Sequence, residues 1–269
     1  KVGEDALRGA IEMGFRHIDT ATSYHNEDMV GRVMAESGLP RSDFFITSKL
    51  NNPDQGYEST LEAFERSLAW LGTDYLDLYL IHWPRVAGTE EVWEERVAET
   101  WRAFEELYRA GRIRAIGVSN FLVHHLEGLA RHASIAPMVN QIEHNPTYQQ
   151  RETVSYCEEH GIQLEAWAPL GRGHLFDNPD VVALAERKGK DVGQICVRYA
   201  LQKGFVTMPK SNRPERIRSN SEVFDFALDK DDMALLDSLN TDDCYTFHPD
   251  RLDEWAERVS RAHAESGVA

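Results

Sequence analysis

Cysteine is scarce in this chain: three residues in 269, Cys157, Cys196 and Cys244, odd in number and far apart. They support neither a disulfide framework nor a metal-binding knuckle, and a reducing cytoplasm is the expected setting. Long apolar runs are missing too. Nothing approaches the roughly 20 residues that span a bilayer, and the first residues hold no signal-peptide core, so no membrane partner is expected. Cations are in deficit, with 29 Lys and Arg against 45 Asp and Glu and a formal net charge of −16. Nucleic acid, as a polyanion, would be repelled at long range and is not expected as a partner. What remains is an ordinary globular balance, 42% hydrophobic and 28% charged, with ample material for a core.

Short apolar runs rich in Ile, Leu, Val and Phe recur at 15–21, 44–50, 75–83, 113–119, 138–143, 163–170 and 205–211. Helical patterns separate nearly all of them, and this alternation predicts parallel strands with crossover helices. In ESTLEAFERSLAWLG, the residues Leu61, Phe64, Leu68 and Leu71 share one helical face and Gly72 suits the stop. EDALRGAIEMG, 91–111, 122–132, 150–160, 179–189 and 193–203 read as helices in the same way. No linker or domain boundary is visible, and the length is close to the roughly 250 residues of one α/β barrel. The expectation is a single domain over 1–269, with a C-terminal loop and tail from about 240 that is the one stretch where disorder is indicated. Seven strands are one short of a closed barrel, and a helix follows Lys1-Val2 directly. A first strand is therefore expected upstream, which would make the chain a piece of a longer protein.

Four polar side chains stand at or just past the ends of apolar runs: Asp19, Tyr24, Lys49 and His82. Each has a bland role open to it, as a cap, a loop aromatic, a surface cation or a satisfied core histidine. Their joint placement weighs more, because the inward face of a barrel is a costly place for unpaired charge and Asp19 can neutralise Lys49 there. Parallel strands end on one face, where barrels carry their sites. An acid, a phenol, an ammonium and an imidazole converging on that face suit proton transfer to a developing oxyanion. Lys49 as a Schiff-base nucleophile in a lyase barrel is the competing chemistry.

The strings GFRHIDTATSYHNE, ITSKL, LIHWP, IGVSN, NQIE, WAPLG and MPKSNRPERI, in this order from about Gly14 to Asp250, resemble the aldo-keto reductase superfamily. LQKGF, QIEHNPTYQQRE and FHPD are most similar to its bacterial 2,5-diketo-D-gluconate reductase branch. The resemblance implies a (β/α)8 TIM barrel, here without its N-terminal hairpin and first strand. It also implies a monomer that binds NADPH/NADP without a Rossmann domain, and no GxGxxG follows a strand-like run. The family's catalytic tetrad falls on Asp19, Tyr24, Lys49 and His82. Tyr24 would give its phenolic proton to the carbonyl oxygen as hydride arrives at carbon. A phenol is a weak acid near neutrality, and a neighbouring ammonium favours its ionised form. Lys49 would supply that field, Asp19 would orient Lys49, and His82 would hydrogen-bond the substrate oxygen.

On the cofactor side the resemblance assigns Ser119, Asn120 and Gln141 to the nicotinamide carboxamide and Trp167 to stacking under the ring. Asn120 as the N-cap of the following helix is the alternative. Leu170, Gly171 and Gly173 would border the pyrophosphate. Lys210, Ser211, Arg216 and Asn220 would surround the adenosine and its 2′-phosphate. This last segment also stands on charge alone, since Lys210, Arg213, Arg216 and Arg218 face only Glu215 in an acidic chain and Pro214 suits a helix start. Ser219 stands where the family often has an acid. Trp83 is the expected wall for a small-molecule carbonyl substrate. His124, His125 and His132, lacking a carboxylate at a strand end, read as surface residues, and no metal site is expected. A cofactor-binding redox sensor with little turnover is the alternative function.

Overall fold

Residues 3–85 and 91–251 are described by a computed structural model of the chain. The expected tail beyond them, and Lys1-Val2, lie outside the described residues. Seven strands pair side by side, all parallel, in the order of the chain: β1 (His17–Asp19), β2 (Phe45–Leu50), β3 (Leu76–Ile81), β4 (Ile113–Ser119), β5 (Val139–Glu143), β6 (Gln163–Trp167) and β7 (Val206–Met208). Sequential parallel neighbours joined by helices are the wall of a (β/α) barrel. The wall is nearly closed. Residues of β3 and β5 are buried throughout, whereas β1 and β7, the two edges among the described residues, are only half buried.

Ten helices surround this wall among the described residues. The one over Tyr57–Leu71, α3, follows α1 (Glu4–Glu12) and α2 (Glu27–Glu36) and buries Phe64, Leu68 and Leu71. It ends at Gly72 with φ 64°, a left-handed conformation that costs glycine nothing. Next come α4 (Trp93–Arg109), α5 (Val123–Ala130), α6 (Arg151–Glu159), α7 (Pro179–Lys188), α8 (Val192–Gln202) and α9 (Pro214–Ser221). A last helix, α10 (Lys230–Ser238), is not among the helical patterns read from sequence. Its start is set by Asp229, whose carboxylate accepts from the backbone N–H groups of Asp231 and Asp232. On the outside α1 packs beside both α2 and α9, and the Gly3 amide donates to Asn212 Oδ1 at 3.0 Å. The helical ring is thus continuous across the two strand edges.

Element ends are shorter than the apolar runs predict. The run 163–170 is strand only to Trp167, because Ala168 turns at φ 50°. The run 205–211 ends at Met208, so Lys210 lies in the loop after β7 and not on the strand. Among the described residues no helix is long and apolar enough to cross a membrane.

Candidate active site

At the C-terminal end of the barrel, Lys49 is the structural centre. It is the penultimate residue of β2, with its side chain 1% exposed, and its ammonium meets Asp19 Oδ1 at 2.5 Å and the Thr20 carbonyl at 3.1 Å. Burial works against its charge, but Asp19, with Tyr24 and Glu165, overcomes that and holds its pKa above the ordinary lysine value. Tyr24 follows β1 on a single 3₁₀ turn, Thr22–Tyr24, and is 36% exposed, with the Lys49 Nζ 5.2 Å from its ring centre. The His82 ring stands edge-on to it at 5.8 Å. Burial, then the neighbouring Lys49 charge, push the His82 imidazole down to about 3, so it is neutral near pH 7. Its Nδ1 lies 3.3 Å from the Ser23 hydroxyl. Asp19, Tyr24, Lys49 and His82, separated in sequence, are therefore brought together.

A second polar layer crosses the barrel. Gln141 on β5 donates from its amide to Asp19 Oδ2 at 2.9 Å and to Glu165 Oε2 at 2.8 Å, tying β1, β5 and β6. Glu165 is a site residue that sequence reasoning missed. Burial, reinforced by the Asp19 charge and opposed by Gln141 and Lys49, raises its carboxyl to about 7. A signal was there: Glu165 shares inward parity with Trp167 two residues on.

Ser119, Asn120 and Trp167 converge beside this layer. The Ser119 hydroxyl donates to the Gln141 carbonyl at 2.8 Å, and the Asn120 amide donates to the His82 carbonyl at 2.9 Å and to Ser119 Oγ at 3.0 Å. The Trp167 indole N–H donates to Asn120 Oδ1 at 2.9 Å. Asn120 is not the cap of α5, which begins three residues later after Leu122, and its own φ is 63°. Asn120 therefore braces the site against its neighbours, its Oδ1 accepting from Trp167 and its amide donating to His82 and Ser119.

The basic segment sits elsewhere on the same mouth and looks different. Lys210, Arg213, Arg216 and Arg218 are exposed, and none forms an ion pair among the described residues. Arg213 precedes α9 with Pro214 at its first turn, and Arg216 lies over the Phe176 ring at 5.4 Å. The Ser211 hydroxyl accepts from the Arg213 amide, and Asn220 is buried where α9 meets α8.

The match to a family model settles what such a barrel is. Residues 3–241 fit the description "Aldo/keto reductase family". This chain belongs to that family. A glyoxal reductase of Bacillus subtilis is 51% identical over 248 residues, 92% of this chain and 87% of the relative. An aldo-keto reductase from a Medee basin deep-sea metagenome has a crystal structure with TM-score 0.87 and 46% identity, over 92% of this chain and 90% of that one. A Bombyx mori aldo-keto reductase in complex with NADP matches with TM-score 0.84 and 36% identity, over 93% and 86%.

Of the residues singled out in the sequence, Gly171 has a packing role of its own, and His125 departs from its surface reading. Gly171, with φ 53°, is buried, and the space a side chain would need is taken by Tyr245, 2.8 Å from where a Cβ would stand. Its lack of a side chain serves that packing. His125 is not a surface residue: it is buried in α5, and its Nε2 lies 3.3 Å from the Asp250 carboxylate, which His124 also reaches at 3.1 Å. His132 lies past the end of α5 and pairs with Glu94 at 3.0 Å. The carboxylate partners come from chain segments too distant for the local pattern to reveal.

Proposed function

We propose that this aldo-keto reductase uses NADPH to reduce small aldehydes and ketones, dicarbonyls among them, with Tyr24 as proton donor. The observation that carries the reading is the buried Lys49–Asp19 pair set under the Tyr24 ring, with a neutral His82 on its other side. The glyoxal reductase relative supports the substrate class, and the NADP complex of the silkworm relative supports the cofactor.

The residues present fit such a dinucleotide. Ser119, Asn120 and Gln141 each carry a side-chain oxygen that could accept from a carboxamide N–H. Gly193, at the start of α8, is buried and packed close: a Cβ there would lie 3.0 Å from Asp191 Oδ1, 3.3 Å from Asn220 Oδ1 and 3.4 Å from Leu170 Cδ2. Four exposed cations, which form no ion pair among the described residues, stand beyond it, suited to phosphate. When bound, the nicotinamide supplies hydride to the carbonyl carbon. The chain's own work is at the oxygen. His82, with Ser23 at Nδ1, offers its Nε2–H to the carbonyl oxygen and fixes its direction. Tyr24 passes its proton to that oxygen as negative charge builds, and Lys49 stabilises the phenolate left behind. Asp19 and Gln141 keep the ammonium in place.

Loss of NADPH absorbance on adding glyoxal or methylglyoxal tests the function. Turnover that requires the carbonyl and ceases without NADPH is the expected result. A borohydride-trapped adduct on Lys49 with no consumption of NADPH would replace this reading with lyase chemistry.

A further inference from the structure

The segment Tyr245–Asp250 runs over the barrel mouth and is held at both ends by residues far away in sequence. At its start the Tyr245 amide donates to Glu143 Oε1 at 3.4 Å, the Thr246 hydroxyl to Glu143 Oε2 at 3.1 Å, and the Tyr245 ring lies parallel to His174 at 4.4 Å. At its end the buried Arg85 donates from Nε to the Pro249 carbonyl at 3.1 Å and from Nη2 to the Asp250 carbonyl. The Asp250 carboxylate meets His124 and His125. Between the two anchors, Phe247 packs edge-on against Trp83 at 5.7 Å, and Trp83 in turn lies beside His82 at 6.5 Å.

The chemistry of His125 decides what the second anchor does. Burial, with His124, Arg85 and His248 nearby, pushes its imidazole down to about 3, so the ring is neutral. Its Nδ1 accepts from the Leu122 amide at 3.2 Å, which leaves the ring proton on Nε2, facing Asp250. Two histidines and a carboxylate within 4.8 Å of one another have the makings of a metal site. A cation would have to displace the Nε2 proton and break the Leu122 bond, so His125 is built as a donor to the carboxylate.

We propose that Arg85, His125 and Asp250 form a clasp that fixes Phe247 against Trp83, making them positioning residues that set how bulky a carbonyl substrate the mouth accepts. This rests on the reading of His82 as the residue that meets the substrate oxygen. The clasp touches neither substrate nor cofactor, so its loss acts through the wall it holds.

Two variants test it, Asp250→Ala and Asp250→Asn, since the asparagine oxygen still accepts from His125. In Asp250→Ala, amide hydrogen exchange across 245–250 should speed up about tenfold or more, in keeping with a lost hydrogen bond to a charged group. The KM for a substituted benzaldehyde should rise about tenfold, while kcat and NADPH affinity stay within about twofold and the KM for glyoxal changes little. Asp250→Asn should resemble the parent. Unchanged exchange in Asp250→Ala, an Asp250→Asn protein as defective as it, or equal losses of kcat with both substrates would each overturn the clasp. Exchange does not depend on turnover, so a parent protein that reduces no carbonyl would defeat the proposed function and leave the clasp still decided by its own measurement.

Discussion

The two parts of the barrel mouth solve opposite problems. Around Lys49 every charge has a partner before any ligand arrives: Asp19 holds the ammonium, Gln141 holds Asp19 and Glu165, and Asn120 ties His82 to Trp167. Around Arg216 four exposed cations form no ion pair among the described residues. A preorganised, desolvated network stabilises developing charge at little reorganisation cost, which is what a proton-transfer site needs. Unpaired exposed cations gain a partner only on binding, which is what a recognition site needs. Damage to the first region should therefore appear in the chemical step and in stability, and damage to the second in cofactor affinity and salt dependence.

The sharpest way to break this contrast is at Lys49. Replacing it with Met leaves Asp19 without its ammonium partner, a loss that costs about 3–5 kcal/mol for buried pairs. Melting should fall on the order of ten degrees, and turnover should be nearly abolished. Calorimetry with a turnover assay checks both; a Lys49→Met protein as stable as the parent would show that the network carries no strain on removal.

Lys210→Ala should do the reverse. Stability and maximal turnover should hold, while NADPH binds about tenfold more weakly and NADH is unaffected. The parent's preference for NADPH should shrink as salt rises, since an exposed contact is screened. Titration of both nucleotides at low and high salt measures this. Equal affinity of the parent for NADPH and NADH would mean the basic segment does something else.

A third effect is one of pH and belongs to Glu165. Its folded carboxyl is raised from 4.5 to about 7, so its stabilising contribution is complete below 4.5 and is lost as pH rises through about 7. Glu165→Gln keeps an acceptor for Gln141 but cannot ionise. It should match the parent near pH 4.5 and be more stable by roughly 2–3 kcal/mol near pH 8. Melting curves at the two pH values decide it, and a parallel pair of pH profiles would contradict the raised carboxyl.

The same contrast governs how far the site was legible in the sequence. Asp19, Lys49 and His82 could be read because a polar residue ending an apolar run is costly unless used, and that cost is local. The basic segment could be read because four cations in eleven residues stand out in an acidic chain. What escaped was set by distance. Arg85 and Asp250 lie 165 residues apart, and nothing near either one marks the other. His125 was partly legible: His125 and Leu129, four residues apart, are buried on one face of α5, and Phe121, four residues before His125, is buried just ahead of the helix. The short β1 and β7 and the turn at Ala168 reflect backbone geometry where strands leave the barrel, which an apolar run alone does not encode.

Pre-steady-state kinetics on Tyr24→Phe and Lys210→Ala, measured beside the parent with NADPH and glyoxal, test the division of labour most directly. Tyr24→Phe should bind NADPH within about twofold of the parent and transfer hydride about 10²–10⁴ times more slowly, since the ring remains and the proton donor is gone. Lys210→Ala should bind NADPH about tenfold more weakly and, once saturated, transfer hydride at the parent's rate. Hydride transfer in Tyr24→Phe within a few-fold of the parent, or a slowed chemical step in saturated Lys210→Ala, would contradict the account.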